Sequence, residues 1–224
     1  MTGKLIIEHT DDGSKTLYLP GMDEHYHSVK GALTESQHIF IEMGLKARNL
    51  TDFAILEIGF GTGLNAFLSL LAAEQLQVNI RYTTLELYPL SHEIITSLHY
   101  SELVNSGDSG NFYSLHAAGW EKEQSLTPYF KIHKIKTDFT TFPLPADTFD
   151  VIYFDAFAPE KQPGMWQQSL FDKLYHTLRP GGILTTYCAK GVIRRRLQAC
   201  GFTVERLPGP PGGKREILRA TRQI

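Results

Sequence analysis

Three carboxylates at the ends of apolar runs, beside a turn built on alternate glycines, are the residues of this chain best placed to do chemistry. In Ala54-Ile-Leu-Glu-Ile-Gly-Phe-Gly-Thr-Gly-Leu-Asn65 a short apolar segment enters Gly59, Gly61 and Gly63, and an apolar stretch from Ala66 to Ala73 follows. Glycine is needed where backbone turns tightly and lies against a ligand, because a Cβ would obstruct both. A helix opening after such a turn presents unpaired N–H groups at its N-terminus. The turn is therefore expected to hold a nucleotide-type ligand, a plain glycine-rich turn being the alternative. The dinucleotide fingerprint G-x-G-x-x-G places its third small residue five after the first. Here that position is Leu64, and the third glycine comes one residue early, at Gly63. Glu86 ends a second apolar run, where an acid would accept hydrogen bonds from a ribose diol. Asp138 follows a third run, where backbone and side chain would meet an adenine amine, and Asp155 ends a fourth. Any one of these acids is as readily a helix cap or a surface residue. Three at successive run ends, next to a glycine turn, point to a site.

The elements that must position these residues follow from periodicity. Strands are expected at Phe53–Ile58, Ile80–Leu87, Phe130–Lys136, Asp150–Phe154 and Gly182–Tyr187. Helices are expected over Leu64–Glu74, Ser91–Leu98, Gln167–Leu178 and Gly191–Cys200. Alternating β and α units imply a parallel, doubly wound sheet. Phe202–Leu207 and Glu216–Ala220 have no helix between them, so they must pair antiparallel, a parallel crossover needing a dozen or more residues. Ahead of this body (51–224) stands a leader (1–50). Leu5–Glu8 and Thr16–Leu19 flank Thr10-Asp-Asp-Gly-Ser14, a hairpin signal. From Thr34, read as an N-cap, apolar residues at 39, 40, 43 and 45 predict an amphipathic helix to about Arg48. Residues 99–128, with scattered Ser, Gly, Asn and Pro, read as an insertion that is helical in part. The fold class is α/β.

Composition narrows the function classes. The 224 residues are 42% hydrophobic and 21% charged, which suits one well-buried soluble domain. No apolar run approaches the ~20 residues that span a bilayer, and the polar N-terminus lacks a secretory apolar region. Cys188 and Cys200 match neither a disulfide framework nor a zinc pattern, which suggests small buried thiols in a reduced, cytoplasmic setting. The nine histidines show no metal-ligand spacing, so no metal is expected. Net charge is −2, but residues 1–172 hold 11 Lys and Arg against 22 Asp and Glu, and residues 173–224 hold 11 against 2. A basic C-terminal quarter on an acidic body is a candidate phosphate-backbone footprint; complementary surface charge is the other reading.

The glycine turn preceded by Glu57 resembles the first motif of class I S-adenosylmethionine methyltransferases, whose Rossmann-like sheet ends in an antiparallel hairpin. Longer runs are more specific. Gly59-Phe-Gly-Thr-Gly-Leu-Asn65, Glu86-Leu-Tyr-Pro-Leu90, Phe154-Asp-Ala-Phe-Ala-Pro-Glu-Lys-Gln-Pro-Gly-Met-Trp166 and Gly191-Val-Ile-Arg-Arg-Arg-Leu-Gln-Ala-Cys-Gly-Phe202 resemble the MnmC methyltransferase domain. So do Lys214-Arg-Glu-Ile, Tyr26-His-Ser28 and Thr34-Glu35. The chain has Thr137 where that family has Gly, and it lacks the family's oxidase domain, so the expectation is the stand-alone form, sometimes called MnmD.

The resemblance implies S-adenosylmethionine as cofactor and N-methylation of 5-aminomethyl-(2-thio)uridine at the tRNA wobble position. Carried onto this chain, it puts Glu57, Gly59, Phe60, Gly61, Thr62, Gly63, Asn65, Glu86 and Asp138 at the cofactor and Asp155 at the reacting amine. Asp155 as a helix cap fits poorly, since Ala-Phe-Ala-Pro159 is a weak helix start and Pro159 with Pro163 stiffens a loop. Tyr26, Ser28, Phe157, Lys161, Trp166, Arg194, Arg195, Lys214 and Arg215 are candidates for substrate or RNA contact. Phe157 and Trp166 offer stacking faces, Trp166 being equally a core anchor. Arg194 to Arg196 cannot all face one way on a helix. Lys214-Arg215, after Pro208-Gly-Pro-Pro-Gly-Gly213, is expected on a loop that grips the anticodon stem-loop. Two other readings remain: a transferase acting on a small amine, such as a polyamine-forming aminopropyltransferase, and a catalytically silent RNA-binding scaffold.

Overall fold

The computed structural model describes residues 4–104 and 109–224. Its centre is an eight-stranded sheet, ordered β10-β11-β9-β8-β4-β5-β7-β6. The members are β4 (Asp52–Ile58), β5 (Asn79–Glu86), β6 (Glu123–Ser125), β7 (Phe130–Lys136), β8 (Phe149–Phe154), β9 (Leu178–Thr186), β10 (Phe202–Pro208) and β11 (Glu216–Arg222). Strands β7, β5, β4, β8 and β9 run parallel, while β6, β11 and β10 pair antiparallel. The chain moves outward from β4 through β5 to β7, then returns to the other side of β4 as β8. Ligands in such sheets bind beyond the strand ends at this switch in order.

Alternation along β4 divides the core in two. Phe53 and Ile55 pack with helix α2 (Leu64–Leu76), and Leu56 and Ile58 face the opposite layer, α6 (Gln168–Thr177) and α7 (Gly191–Ala199). Helix α2 is apolar nearly all round, as suits a helix covered on both sides. Its outer cover comes from α3 (His92–Leu98), α4 (Tyr100–Leu103), α5 (Ser109–Ala117) and the leader.

The leader is a three-stranded sheet, β1 (Ile6–His9), β2 (Lys15–Leu19) and β3 (Glu24–His25), followed by α1 (Ala32–Ser36). The structure corrects the expected Thr34 cap. The N-cap position is Gly31, three residues earlier, and α1 is capped in trans by the hairpin turn: Ser14 Oγ accepts from Ala32 N at 3.1 Å, and Asp12 Oδ2 accepts from Thr34 N at 2.8 Å. Asp12 is held down at about 2, its burial outweighed by bonds from Ser14, Thr34 and Thr10. Nor does one regular helix reach Arg48; α1 loosens into a π-helical turn at Gln37–Glu42 and a 3₁₀ turn at Leu45–Ala47.

Strand β9 also begins earlier than expected, at Leu178. Its pairing with β8 jumps from Phe149↔Leu178 to Val151↔Ile183, so Arg179-Pro-Gly-Gly182 forms a bulge inside the strand where the sequence suggests a break. Of the expected insertion 99–128, residues 105–108 lie outside the described residues; the rest supplies α4, α5 and the edge strand β6.

Candidate active site at the strand switch

Strands β4 and β8 end side by side, and their loops interlock. Gly59 N donates to Leu85 O at 3.0 Å, and Asp155 N donates to Ile58 O at 3.1 Å. Gly59 sits at φ +94°, and a Cβ there would come 2.8 Å from the Asp155 carbonyl oxygen. Gly63, at φ +73°, opens α2, and its Cβ would meet His116 Nε2 at 2.7 Å. Glycine at 59 lets the two loops lie this close, and glycine at 63 admits the His116 ring.

Past these ends lies a cavity of about 530 Å³. Its wall includes Gly59, Phe60, Gly61, Thr62, Glu86, Asp138 and Asp155 from the strand ends, with Tyr26, Ser28 and Glu35 from the leader. Glu86 Oε2 accepts from Gly61 N at 2.9 Å and Oε1 from Tyr88 N at 2.7 Å, which ties β5 to the glycine turn. Asp138 Oδ1 accepts from the Thr140 amide and hydroxyl at 2.8 and 2.7 Å. Both carboxylates keep lone pairs for a ligand. A nucleoside with a diol, an exocyclic amine and a cationic sulfur matches these carboxylate acceptors, and a cavity of this size suits such a ligand.

Asp155 is partly buried, and Asn65 Nδ2 donates to its Oδ2 at 2.8 Å. Burial pushes its carboxyl up to about 7; the Asn65 bond and Lys214 oppose the rise, and Glu35 adds to it. Glu57, expected at the ligand, does not line the cavity. It is fully buried against α2, accepts from Thr84 Oγ1 at 2.8 Å, and burial drives its proton affinity well above the carboxylate range. Its odd-numbered place on β4 turns it to the α2 side.

The leader and the insertion hold the glycine turn from either side. His27 Nε2 and Thr62 Oγ1 are 2.7 Å apart, and His116 Nε2 meets Thr62 O at 3.1 Å. Burial lowers both imidazoles to about 4, so both are neutral at pH 7. The buried Lys134 ammonium donates to Leu115 O and His116 O at 2.8 Å and lies 5.5 Å from the Phe60 ring centroid, burial lowering it to about 8. Neither His116 nor Lys134 carries a sequence signal; they are single residues of an insertion and an outer strand.

The expected substrate residues divide. Tyr26 and Phe157 meet edge to face at 5.1 Å on the cavity wall, where burial and Glu86 raise the Tyr26 hydroxyl to about 12. Ser28 lines the wall, its amide donating to Glu35 Oε2 at 2.9 Å. Lys214 is partly exposed but turned toward the cavity. It lines the cavity, pairs with the buried Glu35 carboxylate, and lies 4.6 Å from the Tyr187 ring centroid. Trp166 is fully buried, its Nε1 donating to Phe157 O at 2.8 Å and its ring edge-on to Phe154. It is a core anchor and offers no stacking face. Lys161 lies off the cavity, paired with Asp23. Arg194 is half-buried on α7, and Arg195 and Arg215 are exposed. Other C-terminal cations pair with acids: Arg179 with Asp150, Lys190 with Glu160, Arg206 with Glu216, Arg219 with Glu205 and Arg222 with Asp147. Among the described residues no helix is long and apolar enough to cross a membrane, and no group of three or more His, Cys, Asp or Glu is arranged to hold a metal ion.

A family model described as S-adenosyl-L-methionine-dependent methyltransferase matches residues 122–223. The chain is 31% identical over 230 residues to the tRNA 5-methylaminomethyl-2-thiouridine biosynthesis bifunctional protein MnmC of Cupriavidus metallidurans, covering 94% of this chain and 33% of that one. It is 33% identical to the protein of the same name from Aeromonas hydrophila, covering 88% and 32%. The chain thus spans about a third of the curated relatives it matches. In fold it superposes on MNMC2 from Aquifex aeolicus with a TM-score of 0.79 at 20% identity, covering 99% of this chain and 71% of that one. On spermidine synthase from Thermotoga maritima it scores 0.54 at 14% identity, covering 99% and 74%.

Proposed function

We propose that this chain, an MnmC-like, S-adenosylmethionine-dependent methyltransferase domain, methylates the primary amine of 5-aminomethyl-(2-thio)uridine at the wobble position of tRNA. The observation that carries the reading is Asp155: a carboxyl at the strand switch, held by Asn65, with a proton affinity raised to about 7.

When bound, S-adenosylmethionine supplies a methyl group on a positively charged sulfur. Glu86 and Asp138 would hold its ribose and adenine, with the Gly59–Gly63 turn beneath. The protein must then deliver an amine with a free lone pair. An alkylamine resembles lysine, with a pKa near ~10, so it arrives protonated. The Asp155 carboxylate accepts hydrogen bonds from the amine and fixes the remaining lone pair along the transfer line, a largely positional gain. Raised to about 7, it is also a stronger base than an ordinary aspartate, so it takes the departing proton with a smaller deficit. Tyr26 and Phe157 would flank the base. Exposed Arg195 and Arg215 would meet phosphates of the anticodon stem-loop, in the cytoplasm, where tRNA is modified.

The test supplies three acceptors in turn: tRNA carrying 5-aminomethyl-2-thiouridine, the same tRNA with unmodified uridine, and free putrescine. Methyl transfer to the first alone supports the reading. Transfer to putrescine instead supports a small-amine transferase.

A further inference from the structure

Three buried polar atoms beneath the cavity lack a hydrogen-bond partner among the described residues: Glu57 Oε1, Asn65 Oδ1 and Tyr82 Oη. They are neighbours, since Glu57 interacts with both the Asn65 amide and the Tyr82 hydroxyl. Burial first, then the Asp155 charge, favours the neutral Glu57 acid; bonds from Thr84, Asn65 and Tyr82 favour the anion, and none of these groups is a cation. Orphaned buried acceptors and an uncompensated buried charge are both costly, so the protonation state can be argued by accounting.

An ionised Glu57 has only acceptors to offer. It takes the Tyr82 hydroxyl proton, but Asn65 Oδ1 then stays unpaired and a bare charge stays buried beside Asp155. Turning the Asn65 amide over would serve Glu57, but it would strip Asp155 of the 2.8 Å bond from Nδ2. A proton on Glu57 Oε1 resolves all three atoms. That O–H would donate to Asn65 Oδ1 and the same oxygen would accept from Tyr82, while Oε2 accepts from Thr84 at 2.8 Å. With Oδ1 so engaged, the Asn65 amide can present only its NH₂ to Asp155.

We propose that Glu57 is a positioning residue, held neutral, whose O–H sets the Asn65 amide so that Asp155 is oriented as a carboxylate hydrogen-bond acceptor. The amide thus stands between two carboxyl groups, of which the deeper keeps its proton when Asp155 has lost its own. This deepens the proposed function, resting on Asp155 as the group that meets the amine, and it moves Glu57 from ligand contact to support.

The test is a pair of substitutions read in three ways. Glu57→Gln keeps a donor toward Asn65 and an acceptor for Thr84, so kcat should stay within about threefold and the pH profile should not move. Glu57→Leu fills the space but orphans Asn65 Oδ1, so kcat should fall at least about tenfold while cofactor Kd stays within about threefold. Infrared difference spectra near pH 8.5, where Asp155 is ionised, should show a protonated carboxylic acid in the parent and in Asp155→Asn, and none in Glu57→Gln. A Glu57→Gln variant as inactive as Glu57→Leu, or a parent without that infrared band, would overturn the proposal. Should Glu57→Leu fail to fold, the Gln variant and the spectra decide alone. Absence of methyl transfer in the parent would sink the functional reading, and the infrared result would still decide Glu57.

Discussion

The Lys214 ammonium lies 4.6 Å from the centroid of the Tyr187 ring, and that ring's hydroxyl donates to the carbonyl of Ala156, the residue after Asp155, at 2.9 Å. The Pro/Gly loop before Lys214 is thereby fastened to the loop that carries Asp155. Lys214 and Arg215 are adjacent in sequence but turn to different environments, one to the cavity and the other to solvent.

The two should separate in experiment. Arg215→Ala is expected to raise the tRNA KM and flatten the log–log salt dependence of binding by about one unit, leaving kcat intact. Lys214→Ala leaves the buried Glu35 carboxylate without its cation. It should lower kcat or thermal stability, with little change in the salt slope. Equal salt slopes for parent and Arg215→Ala would mark Arg215 as ordinary surface charge.

Asp155→Asn is expected to lower kcat by about 10²–10⁴, the range of a lost base and orienting group. Cofactor Kd, measured by calorimetry, should change little. Parallel losses of binding and rate would make Asp155 a cofactor ligand.

The pH dependence follows from its sign. The folded chain keeps the Asp155 proton up to about pH 7, whereas an unfolded aspartate releases it near ~3.9. Between those values the folded state binds more protons, so stability falls as pH rises through that window. Asp155→Asn escapes this loss. It should be more stable than the parent at pH 8, by about 4 kcal/mol at most, and match it near pH 4. In the parent, kcat/KM should rise with pH through about 7 as the carboxylate form appears. A flat profile across that range would exclude Asp155 as the base.

Trp166→Ala should cost about 3–5 kcal/mol of stability, the range for emptying a buried aromatic site. At temperatures where the variant remains folded, its tRNA KM should match the parent's. A weakened KM in a stably folded variant would return Trp166 to the substrate.

The parallel sheet and the glycine turn were legible because periodicity and the run of strand-end acids act locally. The class of the trailing hairpin followed from connection length alone. What escaped the sequence is set by contacts between distant segments. The cap of α1 comes from Asp12 and Ser14, not from Thr34 within the helix. The β9 bulge places Arg-Pro-Gly-Gly inside a strand, where local propensity reads a break. At the site, Glu86, Asp138 and Asp155 lie on one cavity, as their strand ends suggest. The depth of Trp166, the inward turn of Lys214 and the burial of Glu57 depend on which face tertiary packing closes. The histidine pair about Thr62 joins residues far apart in the chain.

The most direct measurement is nucleoside mass analysis after incubating the protein with S-adenosylmethionine and tRNA lacking the terminal N-methyl group. The account predicts that 5-aminomethyl-2-thiouridine is consumed and that 5-methylaminomethyl-2-thiouridine appears in equal amount, with the new methyl on the side-chain nitrogen. The conversion should fail with Asp155→Asn. An unchanged wobble nucleoside, or a methyl group found on another atom or another residue of the tRNA, would contradict it.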